Sequence, residues 1–196
     1  MRVVGVTGKY CAGKDTAVRI LVSHGFIEIN MDRIGHEALQ AERERIVERF
    51  GPKVLDDEGQ VDRRALGRIV FASKRELRAL EAILHPDMVE EAGHRVERLR
   101  REGSAPGAVM NAALLSRMGL DRLCDVVIYV DTSFCKRLRR ARRRDDAGLL
   151  EVLRRLRSQR DVAPQFLAPN ADVHSVQNDG SQEQLRAKLE SLLSLP

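Results

Sequence analysis

Gly8-Lys9-Tyr10-Cys11-Ala12-Gly13-Lys14-Asp15-Thr16 is the stretch whose reading decides the fold. It has the form G-x-x-x-x-G-K. Before it runs Arg2-Val3-Val4-Gly5-Val6-Thr7, short and β-branched, which reads as a buried strand. After it, residues 16–24 read as a helix with Val18, Leu21 and Val22 on one face and Gly25 as the stop. Residues 26–30 (Phe26-Ile27-Glu28-Ile29-Asn30) give a second strand. Strand, glycine-rich loop, helix and strand make a unit of parallel α/β architecture. The loop chemistry explains the residue types. Glycines let backbone N–H groups converge on phosphate oxygens, and the helix N-terminus adds positive potential. Lys14 is expected to bridge the β- and γ-phosphates of ATP and to follow the charge during transfer. Gly8, Cys11, Ala12, Gly13, Lys14, Asp15 and Thr16 are therefore the expected ATP-binding residues of this loop.

One position departs from the pattern. The residue after the lysine is normally Ser or Thr, whose hydroxyl ligates Mg²⁺; here it is Asp15, followed by Thr16. A carboxylate is a good hard-oxygen ligand for Mg²⁺. Asp15 and Thr16 are both candidates for the metal, with Asp15 preferred. Asp15 as a plain helix-start acid is the alternative, since the helix dipole favours a carboxylate there in any protein.

The remainder of the chain extends this plan. Residues 32–101 read as mostly helical, with stripes at Ile34, Ala38 and Leu39, at Ile46, Val47 and Phe50, and at Leu66, Ile69 and Val70. Gly51-Pro52 ends one helix, and Asp56-Asp57-Glu58-Gly59 forms a turn. His85-Pro86 predicts a helix boundary, because proline disfavours helical backbone in the residue before it. Residues 108–114 and 126–130 predict third and fourth strands. Residues 132–160 predict a charged helical region broken near 145–148. Residues 171–177 predict a last strand, followed by the Asn178-Asp179-Gly180 turn and a closing helix over 182–193. At 196 residues and 43% hydrophobic, the chain suits one globular unit with insertions. No apolar run reaches the roughly 18–20 residues a membrane helix needs, and the first apolar run is too short for a signal peptide. Three cysteines (Cys11, Cys124, Cys135) without a C-x-x-C pair argue against a disulfide framework or a zinc site, so the cytoplasm is the expected compartment. The net charge of +5 suits anionic ligands, and ten arginines between Arg137 and Arg160 face only three acids.

Several motifs, in order, resemble those of the dephospho-coenzyme A kinase family. The family's D-x-D after the second strand is Asn30-Met31-Asp32. Its G-x-h-D-R-x-x-L-x-x-h-V-F stretch, where h is hydrophobic, matches residues 59–71, from Gly59 through Asp62-Arg63 to Val70-Phe71. L-E-x-I-x-H-P matches residues 80–86, and C-D-x-V matches Cys124-Asp125-Val126-Val127. R-I-x-x-Q matches Arg155-Leu156-Arg157-Ser158-Gln159, and the terminal A-D…N-x-G matches Ala171-Asp172 and Asn178-Asp179-Gly180. The family's D-x-P-L-L departs to Asn111-Ala112-Ala113-Leu114-Leu115, losing an acid and a proline, and the next acid is replaced within Ser116-Arg117.

The resemblance implies a three-layer α/β kinase with a phosphate loop and a parallel sheet of about five strands. The core would comprise residues 1–31, 101–132 and 166–196. Residues 32–100 would form a helical substrate-binding insertion, and residues 133–165 an arginine-rich lid. The implied reaction is transfer of the ATP γ-phosphoryl group to the ribose 3′-hydroxyl of dephospho-coenzyme A, with Mg²⁺. Asp32 is implied as the acceptor of the hydroxyl proton, a role a carboxylate in hydrogen-bond reach can perform; it also suits a helix cap. Arg63 is implied as a substrate-anion ligand. His85 either orients a substrate phosphate or pantetheine group or is a helix-terminal histidine. Asn178 and Gly180 either shape the adenine pocket or form an ordinary turn. The arginine cluster at 139–144 has three readings: a solvated helix face, a nucleic-acid contact, or a lid over ATP. The cluster contains no aromatic residue for base stacking, which favours the lid. Arg140 and Arg144, four apart on one helix face, are the expected phosphate clamps. The rivals are a nucleoside or nucleotide kinase of the same fold and a nucleotide-gated nucleic-acid-binding protein. The expected partners are small molecules, with neither nucleic acid nor a membrane.

Overall fold

The structure, a computed structural model, describes residues 1–144, 164, 167 and 172–195. Five strands form one sheet in the order β2-β3-β1-β4-β5, and every neighbouring pair is parallel. They are β1 (Arg2–Gly8), β2 (Ile27–Asn30), β3 (Gly107–Asn111), β4 (Val126–Asp131) and β5 (Asp172–Gln177). All of β1 after Arg2 is buried, as are all of β3 and β4 up to Val130. That is why these segments read as continuous apolar runs and not as alternating ones.

The helices among the described residues are α1 (Lys14–Ser23), α2 (Met31–Ala41), α3 (Arg43–Phe50), α4 (Arg63–Val70), α5 (Lys74–Glu102), α6 (Phe134–Arg144) and α7 (Gln182–Leu193). Val4, Val6, Ile128 and Val130 share one apolar cluster with Ala17, Val18, Ile20 and Leu21 of α1 and Leu185, Leu189 and Leu193 of α7. The register pairs Val6 with Ile128. The i, i+4 spacing of the three leucines puts them on one stripe of α7. Ser181 and Gln184 close a reciprocal capping box at the start of that helix.

The chain divides into two units, Met1–Asn30 with Arg95–Pro196, and Met31–His94. The first holds the sheet. In the second, α3 ends at Gly51 and Pro52, and Gly59 N–H donates to Asp56 O at 3.0 Å to form the expected turn. The Asp62 carboxylate caps α4 by accepting from Arg64 N–H at 2.8 Å.

Two expectations need correction. Pro86 does not mark a boundary: α5 runs unbroken from Lys74 to Glu102 with Pro86 inside. The buried stripe Leu84, Met88, Ala92, Val96 and Leu99 passes straight through it. Burial of five side chains at helical spacing outweighs the roughly 3 kcal/mol an interior proline costs. The third strand stops at Asn111, three residues short of the expected end. The charged helix is described as far as Arg144; the expected break near 145–148 and the motif at 155–159 lie outside the described residues.

Candidate active site

β1 is the middle strand of the five, and the loop 8–13 leaves its carboxyl end directly into α1. In open α/β sheets this edge is where ligands bind. Gly13 precedes α1 with φ of +102°, a backbone that side-chain-bearing residues rarely adopt, and a Cβ there would collide with the Asn178 amide. Cys11 is left-handed as well, with φ of 59°, and it packs with Tyr10 and Leu138 against Ala141 of α6.

The Ala12 carbonyl is the anchor of the loop. It accepts from Asn178 Nδ2 at 2.8 Å and from Arg140 Nη1 at 3.0 Å, and the Thr132 hydroxyl lies 2.8 Å away. A trans peptide is planar, so fixing Ala12 C=O on one side turns the Gly13 N–H to the other. Ala12 N–H itself donates to Lys9 O at 2.9 Å, which closes the loop on itself. Arg140 Nη2 donates to Asn178 O at 3.0 Å. One guanidinium therefore ties the loop to the corner after β5, a use its planar fork allows.

Lys14, its side chain 15% exposed, donates to Asp15 Oδ1 at 3.0 Å and to Asn111 Oδ1. Asn111 is buried, and its Nδ2 donates to Glu28 Oε1 at 2.6 Å. Asp15 is exposed, and the Thr16 hydroxyl accepts from Arg19 at 3.4 Å. A nucleotide-bound Mg²⁺ keeps several waters and takes only one or two protein oxygens, so this donor pair fits such an ion; no cage of three acids is required. Among the described residues no cluster of three or more metal-ligating side chains occurs.

Asp179 borders the corner after β5. Its carboxyl is lowered to about 2, first by the Gln177 side-chain hydrogen bond and then by bonds from Ser133. Gly180 packs against Gln184, and a Cβ at 180 would strike that side chain and break the α7 capping box. The Cys124 sulfur lies against Gly5 of β1 and donates to Leu120 O at 3.4 Å. Burial first, then Asp121 and Asp125, pushes its thiol up to about 12.

Of the expected residues, Gly8, Cys11, Ala12, Gly13, Lys14, Asp15, Thr16, Arg140, Asn178 and Gly180 belong to the sheet-bearing unit. Arg140 and Asn178 meet the loop at Ala12. Arg144 closes α6, and its side chain lies outside the described residues. Asp32, Arg63 and His85 belong to the other unit, on α2, α4 and α5; Asp32 and Arg63 are exposed and His85 is half-buried. Asp32 lies in the first turn of α2, which begins where β2 ends. Sequence reasoning missed Thr132 and Glu28. The signal for Thr132 was its place immediately after β4, at the same sheet edge as the loop.

A family model described as dephospho-CoA kinase matches residues 2–184. The chain belongs to the dephospho-CoA kinase family. A dephospho-CoA kinase of Geobacter sulfurreducens is 36% identical over 197 residues, covering 98% of this chain and 97% of that one. One of Borreliella burgdorferi is 36% identical over 129 residues, covering 65% of this chain and 61% of that protein, so that match spans less than two thirds of the relative. The solved structure of a dephospho-CoA kinase from Campylobacter jejuni superposes with a TM-score of 0.70 at 28% identity, covering 99% of this chain and 96% of that one. The five-stranded parallel sheet is thus the phosphate-loop kinase architecture of that family. No helix among the described residues is long and apolar enough to cross a membrane.

Proposed function

We propose that this protein transfers the γ-phosphoryl group of ATP to the ribose 3′-hydroxyl of dephospho-coenzyme A, giving coenzyme A and ADP, the last step of coenzyme A synthesis. The observation that carries this reading is the family match over residues 2–184, on a chain whose Lys14 follows a loop anchored through Ala12. Backbone N–H groups of the loop and Lys14 hold the β- and γ-phosphates. Asp15 and Thr16 would hold Mg²⁺, which would neutralise charge developing on the phosphates. Asp32 orients the attacking hydroxyl and takes its proton, so that the nucleophile forms as the phosphorus–oxygen bond is made.

Residues 32–100 serve as the substrate-binding insertion, with Arg63 and His85 on the anionic parts of the acceptor. Residues 133–165 act as a lid that excludes water, and Arg144 adds charge to it. Arg140 contributes by setting the loop in place; Asn178 and Gly180 border the adenine. The enzyme works in the cytoplasm on small molecules, without nucleic acid or membrane.

The test is ADP release with dephospho-coenzyme A, with nucleoside monophosphates and with RNA as the added component. Strong acceleration by dephospho-coenzyme A alone supports the reading. Acceleration by a nucleoside monophosphate or by RNA, with none by dephospho-coenzyme A, overturns it.

A further inference from the structure

Glu28 has no place in the mechanism above, yet it sits one residue from the phosphate-loop lysine. It lies on β2, where the register pairs Asn30 with Asn111 across to β3. Both asparagines donate to the same oxygen, Glu28 Oε1, Asn111 at 2.6 Å and Asn30 at 3.0 Å. The other end of the Asn111 amide, Oδ1, accepts from Lys14 Nζ. Asn30 and Asn111 are the two positions where the sequence carries an amide in place of the family's usual acid. Glu28 is thus the carboxylate of this cluster on the sheet side of Lys14.

The polarity of the chain is dictated by chemistry. A carboxylate only accepts and an ammonium only donates, so an amide between them has one orientation. Its N–H faces Glu28 and its carbonyl faces Lys14. Asn111 is 7% exposed and lies on a central strand pair, so its side chain has little room to reorganise. A charge-assisted hydrogen bond is about twice as strong as a neutral one, and here both bonds of the amide are charge-assisted.

We propose that Glu28 is a positioning residue for catalysis, which acts through Asn111 to hold Lys14 in place for the phosphates. This rests on the reading of Lys14 as the phosphate-binding lysine. Glu28 itself touches no substrate.

The test reverses the polarity. Asn111→Asp puts two carboxylates side by side; while both are ionised they repel, which pushes the group at 111 out of line with Lys14. Adding Glu28→Gln supplies an N–H donor to the new carboxylate and rebuilds the chain with the charge moved one position. Measured as kcat and KM for ATP, Asn111→Asp alone should lower kcat at pH 8 by about tenfold, the worth of a hydrogen bond to a charged group. The loss should shrink as pH falls and the pair takes up a proton. The double variant should recover to within about threefold of the parent. An unimpaired Asn111→Asp, or a double variant no better than it, overturns the proposal.

If Asn111→Asp fails to fold in a thermal melt, Glu28→Ala decides, because Glu28 is exposed on its strand. It should lower kcat about tenfold with KM for ATP changed little, and an unchanged kcat overturns the proposal. Scoring the same variants on intrinsic ATP hydrolysis, which needs Lys14 but no acceptor, separates the two readings. A parent enzyme that hydrolyses ATP but ignores dephospho-coenzyme A defeats only the acceptor assignment. Absent rescue in both assays defeats only the role of Glu28.

Discussion

Arg140→Ala removes the guanidinium that ties the loop to the corner after β5. Two of its bonds are short, 3.0 Å to Ala12 O and 3.0 Å to Asn178 O. Its contacts at 3.4 Å with Cys11 O and the Thr132 hydroxyl are long and contribute little. A hydrogen bond with a charged partner is worth about 1.5–3 kcal/mol. Two such bonds are an upper bound, because the Ala12 carbonyl keeps Thr132 and the Asn178 amide after truncation, and Arg140 is only half-buried. The expected net cost is about 2 kcal/mol, or a fall in Tm of about 4–8 °C for a chain of this size. ATP affinity should fall by less than about tenfold, since the Gly13 peptide retains two anchors. Arg140→Lys should recover little, because one ammonium cannot span both carbonyls. Urea unfolding followed by circular dichroism gives the stability term, and calorimetry gives the ATP Kd. Unchanged stability and unchanged Kd with a large drop in kcat would refute the reasoning and make Arg140 a phosphate clamp, as its position on the helix first suggested.

Asp32→Asn should lower kcat by a factor of at least about 100 with ATP binding nearly intact, the lower end for a general base; equal turnover removes Asp32 from the mechanism. The Asp179 carboxyl is held at about 2 against an ordinary 3.8. A depressed folded-state value stabilises the protein above the unfolded-state value and stops doing so as pH falls from about 4 to about 2. Asp179→Asn should therefore lower Tm at pH 7 and leave it close to the parent at pH 2; a difference that grows on acidification contradicts this. Cys124, with its thiol at about 12, should resist a thiol reagent at pH 8 until the protein unfolds, whereas the exposed Cys135 reacts in the native state. Native-state labelling of Cys124, located by mass spectrometry, would contradict that.

The elements carried by local pattern were legible in the sequence. Strand, glycines, lysine and helix over residues 2–23 are contiguous, and each part follows from a short-range rule, as do β2, β4 and α7. Pro86 shows where local rules lose. The proline argues for a break, but the apolar stripe from Leu84 to Leu99 continues through it, and burial prevails. The site was legible in its contiguous part and hidden where it depends on pairing. Glu28 and Asn111 are 83 residues apart, and only the β2–β3 register brings them together. Arg140 read as a phosphate clamp because helix spacing fixes a face but not what that face meets. The Ala12 and Asn178 carbonyls, main-chain groups with no mark in the sequence, are what its guanidinium meets.

The most direct measurement is the identity of the phosphorylated product. With ATP, Mg²⁺ and dephospho-coenzyme A, mass spectrometry and phosphorus NMR should find coenzyme A carrying its new phosphate on the ribose 3′-oxygen, formed in step with ADP. ADP formed without a phosphorylated acceptor, or a phosphate placed on any other oxygen, would contradict the account.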